Sequence, residues 1–599
     1  DAKNQVTEYT YDDVGRLVEI RYYGATDHVN PVKTVSFTYD KVGHLKSYND
    51  GTTSASYSYD DVYRKISETV NYGPFEKSYS YTYYKNGLKK SFTSPDGIIY
   101  TYSYDGANQL VSVDIPGVGS ITVNSYTWNR PAEITLPGGS TKTFEYDPLM
   151  RIKRITAKDP GQNIIMDCGY TYDKVDNIVG KVTEHGNYSY GYDDLYRLIS
   201  VDNPDCSDEA FSYDPVGNRL TSAGVTGTWA YNSNNELVGY DGISYQYDAN
   251  GNTIQKDDNG VITEYSYDIE NRLIEVTTHD PQPTTSKYYY DPFGRRLWKE
   301  TDGTKTYFMY SDEGSVAELD SGGNVTKSYG YKPNSTWTTD PLFMKIGTEY
   351  YFYQNDHLGT PQKLTSTSGA VVWSARYSSF GEATIDPSST ITNNLRFPGQ
   401  YYDEETELHY NYHRYYDPGT GRYFRSDPSH SIQPREINIP YLVPFLVTMP
   451  QELNPFHYVQ NKPTKLIDAF GLKAAGYGGW EIHFIGGYGQ SYVTCCDGCE
   501  LLRHKYRKVC LGAGFDAGIA GGAIFNTSGK DCRNPPKRLI GIEGGVPLFS
   551  PLGLESGLAV NMQGGEMSPS LGGGVGFGFK ATVCFYWLSE SKLTGKCSE

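Results

Sequence analysis

The stretch YTYDDVGRL, at Tyr9–Leu17, is the first clear copy of a unit that recurs along the chain. Tyr9 and Tyr11 alternate with a smaller residue, which is the period-two pattern of a β-strand with one covered face. Asp12 can accept hydrogen bonds from the N–H groups of a turn, and Gly15 can adopt positive φ there. A hydrophobic pair then begins a return strand. The unit therefore predicts a β-hairpin that cannot bury its face alone.

Further copies of this unit make about fourteen hairpins by residue 290. Hairpins that stack in sequence bury their faces against one another and build one long sheet, which must curl because strands twist. The 57 tyrosines of the chain suit half-buried positions on such a sheet, since each has an apolar ring and a polar tip. The central tyrosines of the clear copies are residues 11, 39, 59, 104, 146, 172, 192, 213, 247, 267 and 290, and weaker copies surround Tyr83, Trp128 and Tyr231.

Charge and cysteine content divide the 599 residues near position 472. Residues 473–599 carry 12 Lys and Arg against 10 Asp and Glu, whereas residues 1–472 carry 41 against 61. Seven of the nine cysteines also lie after residue 472. No basic cluster alternates with aromatic residues, so nucleic acid is excluded as a partner of the repeats. The first repeat lies at the start of the chain, around Tyr11, and no signal peptide is visible before it. We therefore expect the chain to be part of a longer protein.

A segment without the regular repeat follows. It includes YFYQNDHLGTPQKLT (Tyr351–Thr365), RFPGQYYDEETELHYNYHRYYDPGTGRYFRSDP (Arg396–Pro428) and NPFHYVQNKPTKLIDAFGL (Asn454–Leu472). These segments and the repeats resemble the Rhs/YD-repeat family. That family includes the C components of insecticidal Tc toxins, wall-associated bacterial proteins and animal teneurins.

The resemblance implies an all-β fold in which YD-repeat hairpins spiral into a hollow shell. It places the shell at residues 1–300, an Rhs-associated core that closes it as a lid at 301–472, and a variable C-terminal effector domain at 473–599.

In the toxin members, the core ends in an aspartyl self-cleaving site. Carried over to this sequence, the two aspartates are Asp427 in SDPSHS and Asp468 in DAFGL, and the cut falls between Leu472 and Lys473. Two carboxylates in contact share a proton, so that one can activate water while the other polarises the carbonyl. The resemblance thus predicts catalysis without a cofactor.

Arg422 or Arg425 is expected to hold one of these carboxylates. The motifs depart from the family pattern, because SDPSHS lacks the family's Gly and Trp and DAFGL lacks its Pro. The two aspartates are also separated by an inserted apolar stretch, Ile437–Pro450, which suits either a proline-stiffened core loop or a plug peptide. The alternative is that both aspartates are turn residues of a structural lid, as we expect for the Arg414/Asp417 pair.

The C-terminal segment is rich in glycine and alternates small with large residues, which predicts a small β-rich domain. Alternating apolar faces also suit a membrane-inserting hairpin. Its cysteine cluster suits disulfides, a zinc site or free thiols. The candidate zinc ligands are Cys495, Cys496, Cys499 and His504.

Together these features predict a secreted or cell-surface polymorphic-toxin component. Its shell would confine its own C-terminal effector, with an immunity protein and a delivery machine as further partners. Two alternatives remain open. The chain could be a non-catalytic adhesion scaffold with an uncleaved binding module, or the shell could carry a pore-forming tail that acts on a membrane.

Overall fold

The computed structural model describes residues 1–428, 454–472, 475–476, 487–497, 500–513, 538–545, 556–560 and 580–595, with side chains for the first two ranges. The chain forms two compact units, Asp1–Ala474 and Ala475–Glu599. In the described ranges the regular structure is almost entirely β, and a short 3₁₀ helix spans Val459–Asn461. None of the helices described there is long and apolar enough to cross a membrane. The predicted all-β fold is confirmed.

The first sheet is a 20-stranded antiparallel meander in which each strand pairs with its neighbours in sequence. The register shifts by one residue at the central tyrosine of one repeat after another, as at Tyr11, Tyr39 and Tyr59. Such shifts increase the local twist, which curls the sheet. Its strands are β1 Val6–Tyr11, β2 Leu17–Tyr23, β3 Lys33–Tyr39, β4 Leu45–Asn49, β5 Ser54–Tyr59, β6 Lys65–Asn71, β7 Glu76–Tyr83, β8 Lys89–Thr93, β9 Ile99–Tyr104, β10 Leu110–Ile115, β11 Gly119–Thr127, β12 Arg130–Thr135, β13 Thr141–Tyr146, β14 Ile152–Lys158, β15 Ile164–Tyr172, β16 Ile178–Thr183, β17 Gly186–Tyr192, β18 Leu198–Asp202, β19 Glu209–Tyr213 and β20 Arg219–Ser222.

The second sheet continues the same meander through 16 strands, and a four-stranded lid sheet follows it. The second sheet contains β21 Ala230–Tyr231, β22 Leu237–Tyr240, β23 Ile243–Tyr247, β24 Thr253–Asp258, β25 Val261–Tyr267, β26 Leu273–Asp280, β27 Gln282–Tyr290, β28 Arg296–Thr301, β29 Thr304–Ser311, β30 Gly314–Leu319, β31 Val325–Gly330, β32 Phe343–Ile346, β33 Glu349–Asn355, β34 Pro361–Ser366, β35 Val371–Tyr377 and β36 Ala383–Ile385. The lid sheet contains β37 Tyr401–Asp403, β38 Leu408–Asn411, β39 Arg414–Asp417 and β40 Arg422–Tyr423, and the short strand β41 spans Leu466–Ile467.

Successive repeats are linked by the tyrosine and the arginine of the motif. Arg16 Nε donates to Asp12 Oδ2 in its own turn (2.7 Å), and Arg16 Nη1 donates to the Asp40 carbonyl of the next repeat (3.0 Å). The guanidinium lies 5.1 Å from the ring centroid of Tyr39, whose hydroxyl donates to the Leu17 carbonyl (2.7 Å). Tyrosine therefore serves the fold through its hydroxyl as well as its ring. The same bond to the preceding repeat is made by Tyr59, Tyr83, Tyr104, Tyr126, Tyr146, Tyr172, Tyr192, Tyr213, Tyr231, Tyr247, Tyr290 and Tyr310.

The two large sheets and the lid share one aromatic core. Tyr72 of the first sheet meets Tyr307 of the second edge to face, with ring centroids 5.6 Å apart. The lid joins this core through Tyr401, whose ring lies 5.2 Å from that of Phe308. Because edge-to-face pairs add to ordinary burial, this core fixes the lid sheet against the second sheet and so positions the residues that follow it.

The second unit is described by its backbone. Its five strands pair antiparallel in the order β43, β44, β47, β45, β46. The bounds, with the short strand that precedes them, are β42 Ala475–Gly476, β43 Gly487–Asp497, β44 Glu500–Ala513, β45 Arg538–Gly545, β46 Ser556–Val560 and β47 Lys580–Gly595.

The turn glycine of the repeat gives a stability prediction. Gly15 has φ +81° with open space around an added Cβ, so Gly15→Ala carries only the backbone penalty of the left-handed region and should destabilise by about 1 kcal/mol. Gly106 lies in another repeat turn with the same open space but outside that region, and Gly106→Ala is the matched control. Urea-unfolding midpoints of the full chain measure both. Equal midpoint shifts for the two variants would contradict the conformational explanation.

Candidate functional site

The two predicted aspartates meet at one arginine. Asp427 follows β40 and Asp468 follows β41, 41 residues later in sequence. Nη2 of Arg414, at the start of β39, lies 3.3 Å from Asp427 Oδ2 and 3.4 Å from Asp468 Oδ2. The exposed fractions of Arg414, Asp427 and Asp468 are 2%, 4% and 2%. The lid therefore buries two carboxylates around a single guanidinium.

The same guanidinium holds the peptide at the predicted cut. Arg414 Nη2 donates to the Leu472 carbonyl oxygen (2.6 Å), and Arg414 Nε donates to the Gly471 carbonyl (2.5 Å). The Leu472 N–H donates to Asp468 Oδ1 (3.0 Å). Hydrolysis after Leu472 would require a nucleophile to attack the Leu472 carbonyl. In the structure this carbonyl accepts a hydrogen bond from the Arg414 guanidinium. Lys473, the other residue of the predicted cut, lies outside the described residues.

The segment before Leu472 is bound along its length by the β38–β39 hairpin. Asn411 Nδ2 donates to the Asp468 carbonyl (2.9 Å), and the His413 N–H donates to the Phe470 carbonyl (3.2 Å). These bonds are joined by those of Arg414, so a bent segment, with Gly471 at φ +63°, is held beside the hairpin by its own carbonyl groups. Its backbone direction is therefore set before any chemistry takes place.

Glycine permits the close approach of this segment. Gly471 has φ +63°, and a Cβ added to it would lie 2.2 Å from the Asn411 carbonyl oxygen. On the other side, a Cβ added to Gly399 would lie 2.2 Å from the Ala469 carbonyl oxygen. Real Cβ atoms do not approach backbone so closely, so both positions require glycine. This gives a structural reason for the glycine that precedes Leu472.

Burial and charge together set the protonation of the site. Burial raises the pKa of Asp468 above its ordinary value, and the neighbouring Asp427 charge adds to this, against opposing contributions from Arg414, Tyr423 and the Leu472 N–H. Burial, together with nearby arginines, lowers the pKa of His413 to about 3, so this imidazole is neutral at physiological pH. The site therefore contains a carboxyl group that keeps its proton to higher pH than an exposed aspartate does.

The structure gives Arg422 and Arg425 other roles than the sequence suggested. Arg422 Nη1 donates to Asn218 Oδ1 (3.1 Å), and Arg425 Nη2 donates to the His413 carbonyl (3.0 Å). The arginine between the carboxylates is instead Arg414, which the sequence analysis assigned to the lid framework. Its place in β39, beside β40 and the segment that precedes Leu472, brings it there. A cation on a strand of the lid hairpin was the signal that could have identified it.

A cavity lies against the site. It has a volume of about 220 Å³, and its lining includes Tyr412, His413, Arg414, Arg425 and Pro428. A water molecule takes up about 30 Å³ in the liquid. The cavity can therefore hold several water molecules next to the guanidinium that binds the Leu472 carbonyl.

Three of the four candidate zinc ligands of the second unit lie on two described strands. Cys495 is the register partner of Leu502 and Cys496 that of Leu501, so adjacent positions place the two cysteines on opposite faces. His504 belongs to β44, and Cys499 lies outside the described residues. The described part of the chain contains no group of three His, Cys, Asp or Glu side chains arranged to hold a metal. Disulfides in this unit stay a prediction.

Comparison with known proteins gives consistent matches. The family model described as Teneurin YD-shell matches residues 1–193 and 126–445. "Double-stranded DNA deaminase toxin A" of Burkholderia cenocepacia is 26% identical over 534 residues, covering 78% of this chain and 36% of the relative. "tRNA3(Ser)-specific nuclease WapA" of Bacillus spizizenii is 27% identical over 376 residues, covering 61% of this chain and 14% of the relative.

A solved structure matches the fold. The Tc holotoxin pore of Photorhabdus luminescens superposes with a TM-score of 0.64 at 16% identity, covering 79% of this chain and 26% of that one. This match confirms the predicted YD-shell fold. The chain spans about a third of the length of the deaminase toxin and about a quarter of the length of the Tc chain.

Proposed function

This chain belongs to the Teneurin YD-shell family, and from that premise we propose that it is the shell and lid of a polymorphic toxin that cuts itself after Leu472. Residues 1–300 act as the shell wall, residues 301–472 complete the second sheet and form the lid with its protease site, and residues 473–599 act as the released effector. The observation that carries the proposal is the hydrogen bond from Arg414 to the Leu472 carbonyl, made by a guanidinium that also contacts two buried aspartates. The boundary between the two compact units, at Ala474, supports the same position for the cut.

The proposed reaction is hydrolysis of the Leu472–Lys473 peptide bond. Asp427 takes a proton from a water molecule, whose oxygen attacks the carbonyl carbon of Leu472. Arg414 Nη2 stabilises the negative charge that develops on the carbonyl oxygen, as a preorganised donor does in acyl transfer. Asp468, whose pKa burial raises, gives its proton in its protonated form to the departing Lys473 amine. The products are a carboxylate on Leu472 and a new amino terminus.

The relatives favour a toxin over an adhesion scaffold. One is named as a deaminase toxin and another as a tRNA nuclease. By analogy, residues 473–599 act on a target cell and need delivery components that carry them out of the producer. An effector of this kind also requires an immunity protein in the producing cell. We place the action of this chain outside the cell that makes it.

Purified full-length chain tests the cut. Denaturing electrophoresis should show fragments of roughly 53 and 14 kDa, in proportion to the residues on each side of the cut in a chain of 67.0 kDa. Asp427→Asn and Asp468→Asn should each leave the chain whole. Asp417→Asn is the matched control, because this lid aspartate caps a turn through the Gly419 N–H (2.9 Å), and it should still be cut. A single full-length band from the unmodified chain would contradict the proposal.

A further inference from the structure

Tyr423 contacts two of the three catalytic groups of the proposed site, Asp468 and Arg414. Its hydroxyl donates to Asp468 Oδ2 (2.6 Å), and its ring lies 3.5 Å below the guanidinium carbon of Arg414. It is 3% exposed, so both contacts are shielded from solvent. One side chain thus supports the carboxyl group and the cation that binds the Leu472 carbonyl.

Asn411 fixes the direction of the tyrosine proton. Asn411 Nδ2 donates to the Tyr423 hydroxyl oxygen (2.9 Å) and to the Asp468 carbonyl (2.9 Å). A phenol has a single proton. Since its oxygen accepts from Asn411, that proton is directed at Asp468 Oδ2. Burial raises the pKa of Tyr423 well above its ordinary value, so the phenol remains a donor across the physiological range.

The two oxygens of Asp468 are therefore unequal. Oδ2 faces the Tyr423 hydroxyl at 2.6 Å and Arg414 Nη2 at 3.4 Å, and both groups are donors. A proton on Oδ2 would point at one of them, which is repulsive. Oδ1 accepts one hydrogen bond in the described part of the chain, from the Leu472 N–H (3.0 Å), so one of its lone pairs is still open to a proton. A protonated Asp468 consequently carries its proton on Oδ1.

We propose that Tyr423 is a positioning residue that keeps the proton of Asp468 on Oδ1, the oxygen that the Leu472 N–H binds. This inference rests on the self-cleavage proposed above. It explains how a buried carboxyl group bonded to a cation can still act as an acid toward the leaving amine. The ionisable groups that face Asp468 are Arg414, Tyr423, Asp427 and Tyr458.

The first test is the cleavage rate as a function of pH. Tyr423→Phe keeps the ring under Arg414 and removes the hydroxyl, and cleavage should slow by about 10- to 100-fold, part of what a positioned acid contributes. The high-pH limb of the profile should also move to higher pH, because the lost bond favoured the ionised carboxylate. Tyr416→Phe is the control, since this fully buried tyrosine donates to the Phe380 carbonyl (2.6 Å), and it should change neither feature. An unshifted limb would overturn the proposal.

A second measurement does not depend on cleavage. In the Asp427→Asn background, unfolding is compared for the parent, Tyr423→Phe, Asp468→Asn and the double variant. The two sites should be coupled at pH values above the pKa of Asp468, and the coupling should fade as pH falls through it. If the unmodified chain is never cut, the self-cleavage fails while this coupling remains. Absence of coupling at every pH would overturn the role of Tyr423 itself.

Discussion

Replacing Arg414 by glutamine is expected to stop cleavage after Leu472. It should also lower the free energy of unfolding of the compact unit Asp1–Ala474 by about 3–5 kcal/mol. The Leu472 carbonyl loses its cationic donor, which alone should slow an acyl-transfer step by about 10²–10³-fold. Asp427 and Asp468 lose the buried cation that lies between them. One substitution therefore removes both the chemistry and the charge balance of the site.

The stability loss should depend on pH with a defined sign. Without Arg414, the pKa of Asp468 rises further, so the folded state binds protons more tightly than the unfolded state. Such a group stabilises the fold below its unfolded pKa and loses that contribution as pH rises through the folded pKa. The deficit of Arg414→Gln should thus be largest near neutral pH and shrink toward about pH 4, the unperturbed value for aspartate. Urea unfolding across this range measures it.

Arg219→Met is the matched control for Arg414→Gln. Arg219 is also buried, but its guanidinium lies over Phe380 (4.2 Å) and Phe211 (4.6 Å), and its Nε and Nη2 have no hydrogen-bond partner in the described part of the chain. An apolar replacement should preserve cleavage and cost little. If Arg219→Met stopped cleavage as fully as Arg414→Gln, the loss would reflect general damage to the lid.

The repeat shows how far local pattern predicts a fold. Alternation of aromatic residues followed by Asp and Gly predicted the hairpin and its turn, and both are present at Tyr11 and Asp12. The pattern did not predict that the Tyr39 hydroxyl bonds the preceding repeat, because that contact joins residues far apart in sequence. It also did not predict Tyr196 at φ +61°, where repeats such as the first one have glycine. The Tyr196 N–H donates to the Asp193 carbonyl (2.8 Å), which closes the turn around that residue.

The site shows a sharper limit. Family motifs indicated Asp427 and Asp468, and the structure brings them to one guanidinium. The arginine was misassigned because Arg422 and Arg425 are nearer to Asp427 in sequence. Proximity along a strand does not determine where a side chain points, since neighbours alternate between faces. Arg414 reaches the carboxylates because of how β39 packs in the folded chain. Residue spacing in the sequence does not determine that packing.

Asp403→Asn is expected to be the most damaging single change away from the cleavage site, at about 3–5 kcal/mol. Asp403 of the lid and Arg296 of the second sheet are both 0% exposed and form a two-pronged pair, with the Nη2–Oδ1 bond at 2.9 Å. Lys299 adds a contact to Asp403 at 3.1 Å. The variant would leave the Arg296 charge buried without its carboxylate. The aromatic rings that surround Arg296 are Tyr288, Phe308, Tyr401, Tyr410 and Tyr415.

The pH dependence of this pair is opposite in sign to that of the Arg414 variant. Burial acts to raise the pKa of Asp403, but Arg296 and Lys299 outweigh it and hold the pKa below the ordinary value. The pair therefore contributes stability above the unfolded pKa, near 4, and loses it as pH falls through the folded pKa. Asp403→Asn should abolish this acid sensitivity in urea-unfolding measurements.

Two comparisons isolate the pair. Glu275→Gln breaks an exposed ion pair with Lys287 (3.5 Å) and should change stability by less than about 1 kcal/mol. The double variant Arg296→Met/Asp403→Leu should recover most of the loss, because replacing both charges by apolar groups leaves none buried alone. A double variant as unstable as Asp403→Asn would contradict this account. Recovery would mean that the lid is held to the shell mainly by its aromatic core, and that the ion pair selects how the two surfaces align.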